Sequence, residues 1–195
     1  MEKDIQDTRE RILQAATALM KVHGFKGVTT KAIAGEAGVN EVTLFRHFGS
    51  KKAILEAIIK QWTLDRSVLE QVKQQISWEL EKDLHLFASA YQKFVREHQE
   101  IIMIIIKEIS SFPGLDEKWA AVPGLLKQLL LEYLQEMQAR EEIIDTNLEA
   151  QALAFLWMNM GMFMSQRLLG ERMMSMQPEE FLDASIHTFV RGLQR

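Results

Sequence analysis

The sequence predicts an all-helical protein, and three observations carry that expectation. Only three prolines, Pro113, Pro123 and Pro178, interrupt 195 residues. No run alternates apolar and polar residues with period two over a useful length, and residues of high helix propensity dominate nearly everywhere. There is no internal repeat and no low-complexity segment. A chain of this length can bury one sizeable core or two smaller ones sharing a helix. Its 47% apolar and 26% charged residues are those of a globular protein. With no cysteine, disulfides, thiolate nucleophiles and Cys-ligated zinc are excluded. The start, "MEKDIQDTRERIL", lacks the apolar stretch of a signal peptide, and the longest uncharged apolar run, "IIMIII" at 101–106, is far short of a membrane span. The expected location is the cytoplasm, with no membrane partner.

The elements follow from local signals. Helix 1 is expected from about Asp7 to His23: Asp7 followed by Glu10 gives a cap-like start, Ile12, Ala16 and Leu19 recur on one face, and Gly24 closes it. Thr30 can cap a second helix, "KAIAGEA", ended by Gly38 where a left-handed residue suits the turn. Asn40 can cap a third, "EVTLFRHF", and Ser50 a fourth, running from Lys51 through "KAILEAIIKQW" into the second half of the chain. Towards the carboxy terminus, Thr146 with Glu149 makes a capping box for "NLEAQALAFLWMNMGMFMSQRLL", closed by Gly170. Pro178 at a first helical position, followed by Glu179 and Glu180, opens "EEFLDASIHTFVRGLQ".

Two short helices joined by Gly38, Val39 and Asn40 form a helix-turn-helix pattern. Neither is long enough to be stable alone in water, where roughly 12 to 15 residues are needed. Ile33, Ala34, Ala37, Val39, Leu44 and Phe48 supply an apolar face towards helices 1 and 4. Glu41, Val42, Thr43, Phe45, Arg46 and His47 are left to point away, and the major groove of DNA admits one such helix. The charge distribution agrees: residues 1–60 hold ten Lys and Arg against seven Asp and Glu, a net +3, whereas thirteen against twenty leave −7 in the remainder.

The run "TTKAIAGEAGVNEVTLFRHFGSKKAIL", residues 29–55, resembles the DNA-binding segment of TetR-type transcriptional regulators. A threonine opens helix 2, Ile-Ala leads to Ala-Gly-Val at the turn, an aromatic-x-His-Phe ends the third helix, and a lysine opens the fourth. The resemblance is close over about residues 8–60; beyond them it rests on length and helical character. It implies a TetR-like fold: an amino-terminal three-helix DNA-binding domain, residues 1–50, a connecting helix, 51–70, and a larger helical effector-binding and dimerisation domain, 71–195. The resemblance further implies that Thr30 and Lys51 meet DNA phosphates, with Lys31 and Asn40 beside them. It places Glu41, Val42 and Thr43 against bases, His47 and Arg46 towards the backbone, and Leu44 and Phe48 in the core. Many members carry a tyrosine at position 45, so Phe45 keeps only a packing contact with the sugar-phosphate edge. Glu41 brings a negative charge to the DNA. It can accept from a cytosine amino group, complement the helix amino terminus, or stay solvated.

The resemblance also implies a double-stranded operator, a homodimer and a small-molecule effector. A recognition helix makes few contacts, and specific sites usually pair two copies about a two-fold axis. The last two helices are the dimer candidates, because "ALAFLWMNMGMFM" is apolar nearly all round and should be buried on two sides. Trp62, Trp78, Phe87, Tyr91, Met103, Trp119, Phe155, Trp157, Met158 and Met162 are candidate walls of an effector cavity suited to bulky, mainly apolar molecules. Met158, Met160, Met162, Met164, Met173, Met174 and Met176 admit three readings: packing, an adaptable pocket wall, or a soft-metal site. The last is disfavoured because the helical ones do not share a face. No Gly-rich phosphate loop, G-x-S-x-G or H-E-x-x-H is present, so no enzyme class and no cofactor is indicated. The rival to a DNA-binding regulator is a helical protein-interaction module.

Overall fold

In a computed structural model the described residues are 2–60, 66–109, 112, 114–173 and 175–194. Ten α-helices and a 3-10 turn account for them, with no strand among the described residues. They form two compact units, Met1–Thr63 with His98–Ala120, and Leu64–Glu97 with Ala121–Arg195. Packing thus divides the chain along different lines from the boundaries expected at 50 and 70.

The first unit contains α1 (Glu2–Gly27), α2 (Thr30–Glu36), α3 (Glu41–Phe48), α4 (Lys51–Lys60) and α7 (Gln99–Glu108). Helix α1 lies against α2, α4 and α7, and α3 is held by α2 and α4. Ile12, Ala16, Met20, Ile33, Leu44, Ile54, Ile58 and Ile102 are fully or almost fully buried. At about 25 cal/mol per Å² of apolar surface, this burial is what stabilises helices of seven and eight residues. Helix α1 starts earlier than Asp7, at Glu2, and is broken at Gly24 as expected. Gly24 has φ 70° and ψ 170°, a region open essentially to glycine alone, after which one further helical turn reaches Gly27. Continuation of α4 through Gln61 and Trp62 lies outside the described residues.

The second unit contains α5 (Arg66–Gln75), α6 (Leu80–Glu97), α9 (Leu148–Leu168), α10 (Pro178–Leu193) and most of α8 (Leu115–Ala139). Its core gathers Leu84, Phe87, Tyr133, Leu134, Phe155, Ile186 and Val190. Two buried polar clusters fix the helices. Asp83, 1% exposed, accepts from the Ser77 N–H and hydroxyl at 2.8 and 2.9 Å and from the Tyr133 hydroxyl at 3.0 Å. Gln92 on α6 donates to the Asn159 carbonyl and side-chain oxygen on α9, at 3.0 and 3.2 Å. Pro123 sits inside α8, where it removes one backbone donor without ending the helix.

One boundary differs from expectation for a definable reason. Asn147 caps α9, its side-chain oxygen accepting the Ala150 N–H at 3.0 Å, while the Thr146 hydroxyl accepts from Gln151. Glu149 does not close a capping box; it pairs with Lys127 at 2.8 Å, whose hydrogen bond and charge lower its pKa. Among the described residues no helix is long and apolar enough to cross a membrane.

Candidate functional site

The turn between α2 and α3 is built by backbone hydrogen bonds. The Val39 N–H reaches the Ala34 carbonyl at 2.9 Å and the Gly38 N–H reaches Gly35 at 3.2 Å, with Gly38 at φ 65°. This paired arrangement requires a left-handed residue at Gly38, where a Cβ costs about 1 kcal/mol. Asn40 then caps α3, its side-chain oxygen accepting the Thr43 N–H at 2.7 Å. Among the described residues its amide NH₂ has no hydrogen-bond partner.

Helix α3 is clamped at its other end too. The Gly49 N–H closes on the Phe45 carbonyl at 2.7 Å, and Arg9 of α1 points a guanidinium nitrogen at the His47 carbonyl, 3.5 Å away, while lying 4.4 Å from the Phe48 ring centroid. A cation beside a helix carboxy terminus is favourable. Arg9 is a residue that sequence pattern does not single out, since it meets its partners across 38 positions. Leu44 is fully buried and Phe48 half-buried. The other side of α3 faces outward: Val42 is 77% exposed and Phe45 44%, Arg46 is exposed, and Thr43 and His47 are half-buried. Among the described residues neither Arg46 nor the exposed Lys31 of α2 has an ion-pair partner.

Three of the expected DNA contacts carry internal partners. Thr29, not Thr30, caps α2, accepting the Ala32 N–H at 3.1 Å. The Thr30 hydroxyl donates to Glu41 Oε1 at 2.5 Å, and Glu41 is half-buried. The Lys51 ammonium donates to the carbonyls of Phe25 and Val28 at 2.8 and 2.6 Å and lies 4.3 Å from the Phe25 ring centroid. Lys51 therefore ties α4 to the end of α1, with one of its three hydrogens left over. From the other side the Phe25 N–H donates to the buried Glu108 at 2.9 Å.

The candidate effector residues lie in different settings. Phe87 and Phe155 belong to the core of the second unit, and Tyr91 and Met162 are buried in that unit. Trp78 is on its surface, stacked on Tyr133 and covered by the Arg140 guanidinium at 3.8 Å. Trp157 is 63% exposed on α9, and Met103 is half-buried on α7 of the first unit. Trp62 and the side chain of Trp119 lie outside the described residues, as does Met174. Met158 lines a groove of about 670 Å³ between α9 and α10, with Gln151, Met176, Phe181, Ser185 and Phe189.

An all-helical chain with a capped, clamped helix-turn-helix at its amino end has the architecture of a DNA-binding transcription regulator. The family model described as "Bacterial regulatory proteins, tetR family" matches residues 12–58. Over 191 residues the chain is 34% identical to the HTH-type transcriptional regulator YvkB of Bacillus subtilis (strain 168), covering 97% of this chain and 98% of that one. It is 26% identical over 113 residues to the HTH-type transcriptional repressor KstR2 of Mycolicibacterium smegmatis, about half of each chain, 55% and 54%. The TetR family regulator PfmR of Thermus thermophilus shares the fold, with a TM-score of 0.71 at 21% identity over 95% of this chain and 100% of that one. The chain belongs to the TetR family of helix-turn-helix transcriptional regulators.

Proposed function

We propose that the protein is a homodimeric repressor that binds a palindromic operator and is released by a small, mainly apolar effector. The observation that carries the DNA reading is α3 itself: a helix capped at Asn40, clamped by Arg9, and presenting Val42, Thr43, Phe45 and Arg46 outward. Val42 and the Thr43 methyl suit thymine methyl groups, while Arg46, Lys31, His47 and the free amide of Asn40 suit phosphates. Phe45 has no hydroxyl to donate and serves as an apolar contact with the sugar-phosphate edge. The remaining hydrogen of Lys51 is directed to a backbone oxygen once the duplex is in place. Residues 1–50 are the DNA reader, 51–70 the connector, and 71–195 the effector and dimer region.

A second copy of the chain is the proposed occupant of the α9–α10 face. Leu153, Trp157 and Gly161 recur every fourth residue on α9 and are exposed, although the sequence there is apolar nearly all round. The same helix also lines, through Gln151 and Met158, the groove it shares with Phe181 and Phe189 of α10. An effector shifts the operator equilibrium by no more than its differential affinity for the two states of the dimer. The repressor sign is supported by the likeness to KstR2, a transcriptional repressor.

Selection of bound sequences from random duplex DNA by the purified protein tests this reading. The expected product is a two-fold symmetric site bound with an affinity that falls steeply with salt. Recovery of unenriched sequence would favour the helical protein-interaction module.

A further inference from the structure

We propose that Glu41, held by Thr30, reads a cytosine in each operator half-site through its second carboxylate oxygen. The inference rests on α3 being the recognition helix and deepens that reading from a docking face to a base preference.

Glu41 is the first residue of α3, half-buried, on the element that faces outward. Its Oε1 takes the hydrogen of the Thr30 hydroxyl at 2.5 Å, and Thr30 is the first residue of α2. Two consequences follow. The Thr30 hydroxyl has only one hydrogen, so while it is committed to Glu41 it cannot donate to a phosphate. The carboxylate is fixed at the start of both helices instead of sweeping through its rotamers. Among the described residues Oε2 has no hydrogen-bond partner. A carboxylate aimed at DNA with one oxygen anchored and the other open needs a donor there, because otherwise it only repels phosphates.

The major groove offers few such donors. A carboxylate is acceptor only. Guanine shows two acceptors and thymine the O4 acceptor and a methyl group; adenine pairs its amino donor with the N7 acceptor beside it. Cytosine alone presents an amino group with no acceptor at its own edge. The neighbouring side chains are consistent with a short reading row at the start of α3, where Val42 and Thr43 present methyl groups next to an acceptor.

Parallel selections from random duplex DNA with the full-length parent, Glu41→Gln and Glu41→Ala test the assignment. They are followed by titration of the selected duplex carrying each base pair in turn at the assigned position. The parent should prefer cytosine there by about tenfold or more. Glu41→Gln retains an oxygen for Thr30 but replaces the open acceptor with an amide NH₂ donor, so the cytosine preference should be lost in favour of a base that presents an acceptor there, guanine or thymine. Glu41→Ala should flatten that position and leave the others sharp, and melting curves confirm that both variants fold. Glu41→Gln with the parent's base profile overturns the assignment, as does Glu41→Ala binding all sequences more tightly by the same factor. A parent that enriches no sequence overturns the regulator reading as well, so the two failures are distinguishable. Thr30→Val should narrow the cytosine preference several-fold; an unchanged preference overturns the anchoring role of Thr30.

Discussion

Lys51 shows how a side chain assigned to DNA by pattern can have structural work of its own. Its ammonium holds two carbonyls and covers the Phe25 ring, while Glu108 holds the N–H of the same residue. Phe25 thus joins α1 to both α4 and α7 immediately after the break at Gly24. Lys51→Met should lower stability in urea by about 1–3 kcal/mol, the usual effect of orphaning partners of a charged donor. It should also weaken DNA binding to all sequences alike. A variant as stable as the parent would show that the two carbonyls find other donors readily. Gly24→Ala is expected to be comparably damaging, since its Cβ would sit 3.2 Å from Glu108 Oε1 on a backbone that alanine avoids. Thermal melting of that single variant, with Gly24 restored as reference, measures the strain.

At the scale of the element, α3 depends on its ends. Asn40 has two separable roles, a cap through its oxygen and a DNA donor through its amide. Asn40→Ala should cost about 1 kcal/mol of stability and reduce operator affinity. Asn40→Asp keeps the capping oxygen, so its stability should stay near the parent's while its operator affinity falls; equal affinity would remove Asn40 from the interface. The end of α2, both ends of α3 and the start of α4 were legible in sequence because caps and turns are written in neighbouring residues: Gly38, Asn40 and Ser50 act within three or four positions. What was illegible spans distance. Thr30 finds Glu41 across 11 residues, Lys51 finds Val28 across 23, and Gln92 finds Asn159 across 67. No local pattern encodes those pairings, so the partners of these side chains could not be read from the sequence. The doublets Thr29-Thr30 and Thr146-Asn147 misled for a different reason: either residue of each can cap, and backbone geometry decides.

For the molecule as a whole, two predictions concern what holds it together. The chain has two tyrosines, and both are buried with raised pKa values. Tyr91 is raised by burial, and Tyr133 by burial first and then by the charge and hydrogen bond of Asp83. In the unfolded chain a tyrosine releases its proton near pH 10. Above that pH the unfolded state binds fewer protons than the folded one, so stability present below pH 10 is lost as pH rises, by up to about 1.4 kcal/mol per unit for each tyrosine. Tyrosinate absorbance should therefore appear together with loss of helical circular dichroism; tyrosinate forming near pH 10 with helicity intact would contradict the buried placement. Dimerisation is the second question, and Trp157 is the residue on which to ask it. At 63% exposure it contributes little to the fold of one chain, yet it stands in the middle of the exposed stripe of α9. Trp157→Glu should leave the melting of the helices nearly unchanged at low protein concentration and convert the dimer to a monomer in sedimentation. Since one head then binds one half-site without the effective concentration supplied by its partner, operator affinity should fall by about a hundredfold or more. A Trp157→Glu protein that remains dimeric, or a monomer that binds the full operator as tightly as the parent, would move the assembly surface away from α9.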